Sequence, residues 1–336
     1  MSFDPIAAGL FAAFGLAFGS FLNVCIYRLP RRIFLLDEIE DLERVPASHC
    51  QLQNKRAELQ QLAMWGTRSL CPQCRHGIAW YDNLPLISWL VLRGRCRHCH
   101  ARISPRYFVV ELLTAALFVA CYAYFGWTLS AVKFCALSFF ATGLVFTDAE
   151  WKLLPDALTW PGIVAGLIFS VITPVNDLAA NILPWLRLAG HDWRVASLVQ
   201  SAFGMILGAS FIYGAGMLYL RMRPDLRERG REAMGLGDVK LMALIGAFLG
   251  ATLTVFTMFA ASLAGAAFGV STAVVVWIKR ARRRRVQPGR AWRSATIAFR
   301  NFPVPFGVFL ASMAVVAGFF GNRVIEWYAG FSGVIR

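Results

Sequence analysis

The chain has 336 residues, 57% of them hydrophobic, with a formal net charge of +15 and a mean hydropathy of +0.54. A soluble domain of this length is less apolar and richer in charge, so that class is excluded. The apolar residues fall into runs near the length that spans a bilayer, about 20 residues each, and the short alternating strands of an outer-membrane barrel are not seen.

Runs this long satisfy their own backbone as helices. They predict an all-α polytopic membrane protein with about eight transmembrane helices, at 5–27, 108–126, 129–147, 155–173, 196–220, 235–250, 252–278 and 303–321. The first run begins MSFDP, without a basic n-region. Its basic residues Arg28, Arg31 and Arg32 come after the span, the mark of a retained anchor with its N-terminus outside.

Residues 28–107 form one large insert between the first two spans. Its first half, about 33–64, is charged, lacks glycine and has apolar residues at helical spacing, which predicts one or two amphipathic helices. Its second half carries Cys71-Pro-Gln-Cys74 and Cys96-Arg-His-Cys99. Each C-x-x-C turn aims two thiolates at one point, and two such turns complete a tetrahedron around Zn²⁺. Cys71, Cys74, Cys96 and Cys99 are therefore the expected ligands of a structural zinc in a small cytosolic domain, which gains its fold from the metal. Two disulfides are the competing reading, and a reducing cytosol disfavours them. His76, His98 and His100 flank the turns and read as surface residues. Cys25, Cys121 and Cys135 lie in apolar spans and read as packing residues, and Cys50 has no assigned role.

Ionisable residues at span ends are functional candidates by default. Glu111 opens the second span, Asp148 ends the third, Asp156 follows Pro155 at the start of the fourth, and Asp238 opens the sixth. Asp156 and Glu111 have a second reading, as acids that suit a helix N-terminus. Gly235 and Gly237 remove side chains just before Asp238 and allow a close backbone approach. Lys240 either snorkels to headgroups or favours the charged form of Asp238.

Charge sets the orientation. With the N-terminus outside, the inside loops are 28–107, 148–154, 221–234 and 279–302, and they hold 28 of the 34 Lys and Arg residues. This obeys the positive-inside rule and places all four acids at the cytosolic face. The same rule accounts for the basic run at 279–285, next to anionic lipid headgroups, so nucleic-acid binding is not expected. Two carboxylates in close contact share one proton, one acting as base on water and the other as acid toward a carbonyl. Two other classes compete: a proton-coupled membrane transporter, whose acids belong near the midplane, and a scaffold whose zinc module binds partners.

The ordered motifs resemble type IV prepilin leader peptidases, membrane aspartic peptidases of the GxGD type. The resemblance rests on GSFLNVCIYRLP at 19–30, CPQC and CRHC, DNLPLISWLVLRGRC at 82–96, and RYFVVELLTA at 106–115. It extends to D-x6-P-D from Asp148 to Asp156, GLGDVKLMALIGAFLG at 235–250, and VPFGVFLA at 304–311. It implies a bifunctional enzyme of the bacterial inner membrane. Such an enzyme cuts the basic leader from prepilins and type II secretion pseudopilins, then N-methylates the new N-terminus from S-adenosylmethionine. It also implies that Asp148 and Asp238 are the catalytic pair and that the four cysteines hold zinc in a domain tied to methyl transfer. Asn23, Arg28, Glu111 and Lys240 match further motif positions. Phe108 departs from the family's usual Pro, and the 174–195 loop and the 279–285 cluster are unusual. The expected division is a first transmembrane helix at 1–27, the cytosolic domain at 28–107, and the peptidase domain at 108–336.

Overall fold

The computed structural model describes residues 4–44, 49–64, 69–175, 177–183, 186, 192–223, 235–281 and 305–332. Its contacts divide the chain into two compact units, Met1–Thr173 and Pro174–Arg336. Every regular element among the described residues is helical apart from two isolated β-bridges. Among the described residues six helices are long and apolar enough to cross a membrane, and Asp156–Ile172 is a shorter apolar helix. The basic run at 282–285 and most of the 221–234 and 279–302 loops lie outside the described residues.

In the first unit, α1 (Pro5–Arg44) does not stop where the apolar run ends. The residues after Pro30 lack glycine and are good helix formers, so the helix continues for more than three turns beyond the expected membrane segment. It thus takes up the first of the two amphipathic helices expected over 33–64. The second is α2 (His49–Gln61), joined to α1 by the exposed pairs Lys55–Glu38 (2.8 Å) and Arg56–Glu43 (2.7 Å). A short α3 (Ile87–Val91) lies between the two Cys turns.

Then come α4 (Arg106–Phe125), α5 (Leu129–Trp151) and α6 (Asp156–Ile172). Helices α1 and α4 cross in backbone contact. A Cβ on Gly19 would stand 2.8 Å from the Glu111 Cα, and one on Gly15 2.6 Å from the Ala115 Cα. Small residues at such a crossing are how membrane helices gain packing energy without a hydrophobic drive. The entry to α4 is not disturbed by Phe108, whose ring packs on Trp89 with centroids 5.2 Å apart.

In the second unit, α7 (Ala179–Ile182) and α8 (Trp193–Met222) precede α9 (Leu236–Ala281). Helix α9 covers two expected spans, and its break falls at Gly250, whose φ of 76° lies outside the helical region. Asp177 caps the restart: its carboxylate accepts from the N–H groups of Ala251 (2.6 Å) and Thr252 (3.1 Å) and from the Thr252 hydroxyl. Every residue from Leu241 to Gly250 is buried, so this segment is the centre of the unit. It crosses α8 at Gly204, where a Cβ on Gly246 would lie 2.3 Å from the Gly204 backbone. The chain continues through α10 (Phe306–Val316), a π-helical turn at Ala317–Gly321, and α11 (Asn322–Ser332).

Candidate active site and metal centre

The four cysteines named from spacing come together. One sulfur from each of Cys71, Cys74, Cys96 and Cys99 lies within 4.8 Å of all the others, and the Cys71–Cys99 edge is 3.8 Å. A Zn–S bond of about 2.3 Å implies a tetrahedron edge of about 3.8 Å, so the donor set and its size fit a four-thiolate metal site.

The two turns are built alike. In each, the first cysteine's N–H donates across the loop, Cys71 to the His76 carbonyl (3.0 Å) and Cys96 to the Ala101 carbonyl (2.8 Å). Each turn is closed by an antiparallel bridge, Leu70–Gly77 or Arg95–Arg102, and has a residue of positive φ after its second cysteine, Arg75 or His100. The N–H groups of Cys99 and His98 point at the Cys96 sulfur and bring its pKa down to about 7, while Cys99, which shares its thiol proton with the neighbouring sulfurs, is pushed up to about 11. Cys96 is thus the corner of the cluster that most readily becomes the thiolate a metal requires.

The histidines are exposed, as expected, and the His76 and His98 rings lie 3.6 Å apart between centroids, tilted by 38°. Beside the second turn, Arg97 grips Asp82 with two hydrogen bonds (2.9 and 2.6 Å). That contact holds the Asp82 carboxyl below the usual carboxylate range.

The acids at the span ends differ in setting. Asp148 sits in the last turn of α5 and is buried, at 7% exposure. The helix ends there because Lys152 turns left-handed, its N–H closing on the Asp148 carbonyl at 3.0 Å. Asp156 is exposed in the first turn of α6, where it suits the helix dipole. Asp238 lies half-buried in the first turn of α9, its N–H donating to the Gly235 carbonyl (3.0 Å), with Gly237 and Lys240 also half-buried. Asp148 and Asp156 belong to the first unit and Asp238 to the second.

Glu111 is buried on α4 against Gly19 of α1. One of its oxygens accepts the Leu86 N–H at 2.8 Å, and the other stands 3.5 Å from the Asn23 amide nitrogen. Leu86 is bent to make that contact. Its φ of 58° and ψ of −48°, with the Ile87 N–H bonded to the Pro85 carbonyl at 2.6 Å, form a γ-turn of the rare, strained hand. Strain of this kind persists where the surroundings over-determine it, often at functional sites. Arg106 at the start of α4 pairs with Glu150, two residues past Asp148. Neither contact was anticipated: Pro85-Leu86 carries no glycine or asparagine to announce a left-handed turn, and Arg106 reads in sequence as one more flanking charge.

Residues 13–125 match the model of the bacterial peptidase A24 N-terminal domain, and residues 135–270 match that of the type IV leader peptidase family. The chain is 34% identical over 326 residues to the prepilin leader peptidase/N-methyltransferase of Aeromonas salmonicida strain A449, covering 94% of this chain and 91% of that one. This chain belongs to the type IV leader peptidase family. Another member, the prepilin leader peptidase/N-methyltransferase of Pseudomonas aeruginosa, is 31% identical over 321 residues, covering 95% of this chain and 92% of its own. A third, from Burkholderia pseudomallei strain 1026b, is 31% identical over 329 residues. No solved structure matches. Like the family to which it belongs, the chain is a multi-pass membrane protein.

Proposed function

We propose that this chain removes the leader peptide from type IV prepilins and type II secretion pseudopilins and then N-methylates the new N-terminus. The observation that carries this reading is the match along 94% of the chain to a relative named for both activities. In this reading the protein lies in the bacterial inner membrane, its N-terminus outside and residues 28–107 in the cytosol, as the distribution of Lys and Arg supports. The functional division then follows the anchor, insert and peptidase segments at 1–27, 28–107 and 108–336.

Asp148 and Asp238 are the proposed catalytic pair, which requires the two units to present them to one peptide bond. A pair of carboxyl groups holding one proton needs no nucleophilic side chain. The ionised member takes a proton from water as the water oxygen attacks the scissile carbonyl carbon. The protonated member gives its proton to the carbonyl oxygen. Collapse of the tetrahedral adduct breaks the C–N bond, and a proton passes to the leaving amine. The apparent pKa values belong to the pair rather than to either residue. A prepilin's apolar helix, lying in the bilayer, would leave its leader junction at the cytosolic edge, the depth assigned to both aspartates by topology.

Zinc is the metal proposed for Cys71, Cys74, Cys96 and Cys99. Four thiolates close its coordination shell, so its contribution is to hold the insert in shape. S-adenosylmethionine supplies the methyl group. The test is mass spectrometry of a prepilin co-expressed with the chain, reading both the cut and the added methyl. A leader left intact in the presence of correctly inserted protein refutes the peptidase reading.

A further inference from the structure

The short helix α3 turns large apolar side chains outward. Ile87, Leu90 and Val91 are 59%, 57% and 70% exposed, and their i, i+3, i+4 spacing puts them on one helix face. In the segment just before, Trp80 and Leu84 are exposed as well. The inward face is fixed by other contacts. The Ser88 hydroxyl donates to the Tyr81 carbonyl at 2.8 Å, and the Trp89 ring packs on Phe108. Exposed apolar residues grouped in this way mark a surface that something covers.

Two contacts set the depth of α3. The Leu86 N–H, at its start, donates to the Glu111 carboxylate, and Trp89 meets Phe108. Both partners lie in the first two turns of α4. That helix has 20 residues, a rise of about 30 Å, which is the thickness of the hydrocarbon core with little to spare. Phe108 and Glu111 therefore stand only about 3 Å and 7.5 Å along the axis from the start of the span. Helix α3 is held beside them, level with the boundary between headgroups and hydrocarbon. Val109 and Leu112 of α4, at the same level, also face outward. The occupant available at that depth is lipid rather than water or a soluble protein.

The charges nearby fit the same occupant. Arg93 and Arg95 come directly after α3 and line, with Val91 and Arg97, an open hollow of about 430 Å³. Arg97 is engaged by Asp82. The Arg93 and Arg95 side chains make no ion pair or hydrogen bond among the described residues. Their backbone is nevertheless fixed. Arg93 and Gly94 both have positive φ, and the Gly94 N–H closes on the Trp89 carbonyl at 2.9 Å. Guanidinium groups beside an apolar face reach back to the headgroups, where their planar forks match phosphate oxygens.

We propose that α3 is an interfacial helix. Ile87, Leu90 and Val91 enter the leaflet that α4 enters, and Arg93 and Arg95 hold the headgroup of an anionic phospholipid. The proposal needs only that α4 spans the bilayer. The Cys module is then seated on the membrane surface as well as tethered to its two flanking helices. The γ-turn at Leu86 serves this placement, because it starts α3 at the mouth of α4.

The test uses the full chain in nanodiscs of equal parts phosphatidylglycerol and phosphatidylcholine, with p-benzoylphenylalanine placed at Leu90 or, separately, at Val91. Irradiation and mass spectrometry read what each position touches, and limited proteolysis matching the unaltered protein shows that the module is folded. Lipid adducts are expected at both positions, with the anionic lipid favoured about fivefold. Arg93→Gln with Arg95→Gln should abolish that preference. Adducts to protein alone, whether a second copy or another partner, overturn the proposal. So do an absence of lipid adducts, an equal yield from the two lipids, or a preference that survives in the double variant. A second measurement alters no residue: hydroxyl-radical footprinting in the same discs. Residues 87–91 are expected to be as protected as α4. Oxidation as strong as that of the largely exposed α2, after correction for intrinsic reactivity, overturns the proposal.

Discussion

Replacing Cys71 by serine removes one corner of the thiolate cluster while leaving the spans untouched. Structural zinc in a small module is worth about 10–16 kcal/mol at neutral pH, shared among its ligands. With four similar sulfurs, each contributes about 2.5–4 kcal/mol, a quarter of that total. Serine offers a neutral hydroxyl on a shorter bond, which does not span the 3.8 Å edge to Cys99 as a thiolate does. Metal affinity should therefore fall about 10²–10³-fold. Competition with a chromogenic chelator reads the affinity, and elemental analysis of the purified protein reads the stoichiometry. Cys74→Ser, at an exposed corner, should behave alike, whereas Cys121→Ala, buried within α4, should leave the metal in place. Full metal content and unchanged affinity in both Cys71→Ser and Cys74→Ser would refute a four-thiolate site.

Asp148→Asn and Asp238→Asn should each lower the cleavage of a membrane-inserted prepilin by more than about a thousandfold, since each removes half of the acid–base pair. Normal cleavage by either variant would end that assignment. Gly246→Ala places a Cβ 2.3 Å from the Gly204 backbone, so α8 and α9 must part. The expected cost is about 1–3 kcal/mol, read by reversible unfolding in mixed micelles. Asp177→Ala leaves the Ala251 and Thr252 N–H groups without their acceptor and should cost about 2 kcal/mol in the same assay. Wild-type stability in that variant would show that the restart of α9 needs no cap.

The spans were legible because the length of an apolar run is a direct physical requirement of the bilayer. The limits of α1 and α9 were not. The first span was expected to end at 27, with one or two separate helices over about 33–64, yet α1 runs on through Pro30 to Arg44. The break at Gly250 sits inside an apolar sequence, and its cap, Asp177, comes from a distant segment. The clustering of the four cysteines was legible for the opposite reason, since two C-x-x-C turns carry their geometry locally. Asp148 and Asp156 both read as acids at the ends of one short loop, the second also as a helix-start acid and only the first as one of the catalytic pair. Only packing makes the first buried and the second exposed. Asn23 was visible as a motif position, but its role depends on Tyr107 and Glu111 of another helix.

The metal module and α5, which carries Asp148, are linked through α4. Leu86 of the module bonds Glu111 on α4, and Arg106 of α4 pairs with Glu150 in the last turn of α5. Glu150 and Trp151 follow Asp148 within one helical turn, about 5.4 Å along the axis. The segment between the Cys turns is thus joined, through α4, to the helix end that bears one proposed cutting residue. A metal held by the four cysteines would fix both Cys turns, and the strained turn at Leu86 ties that module to α4.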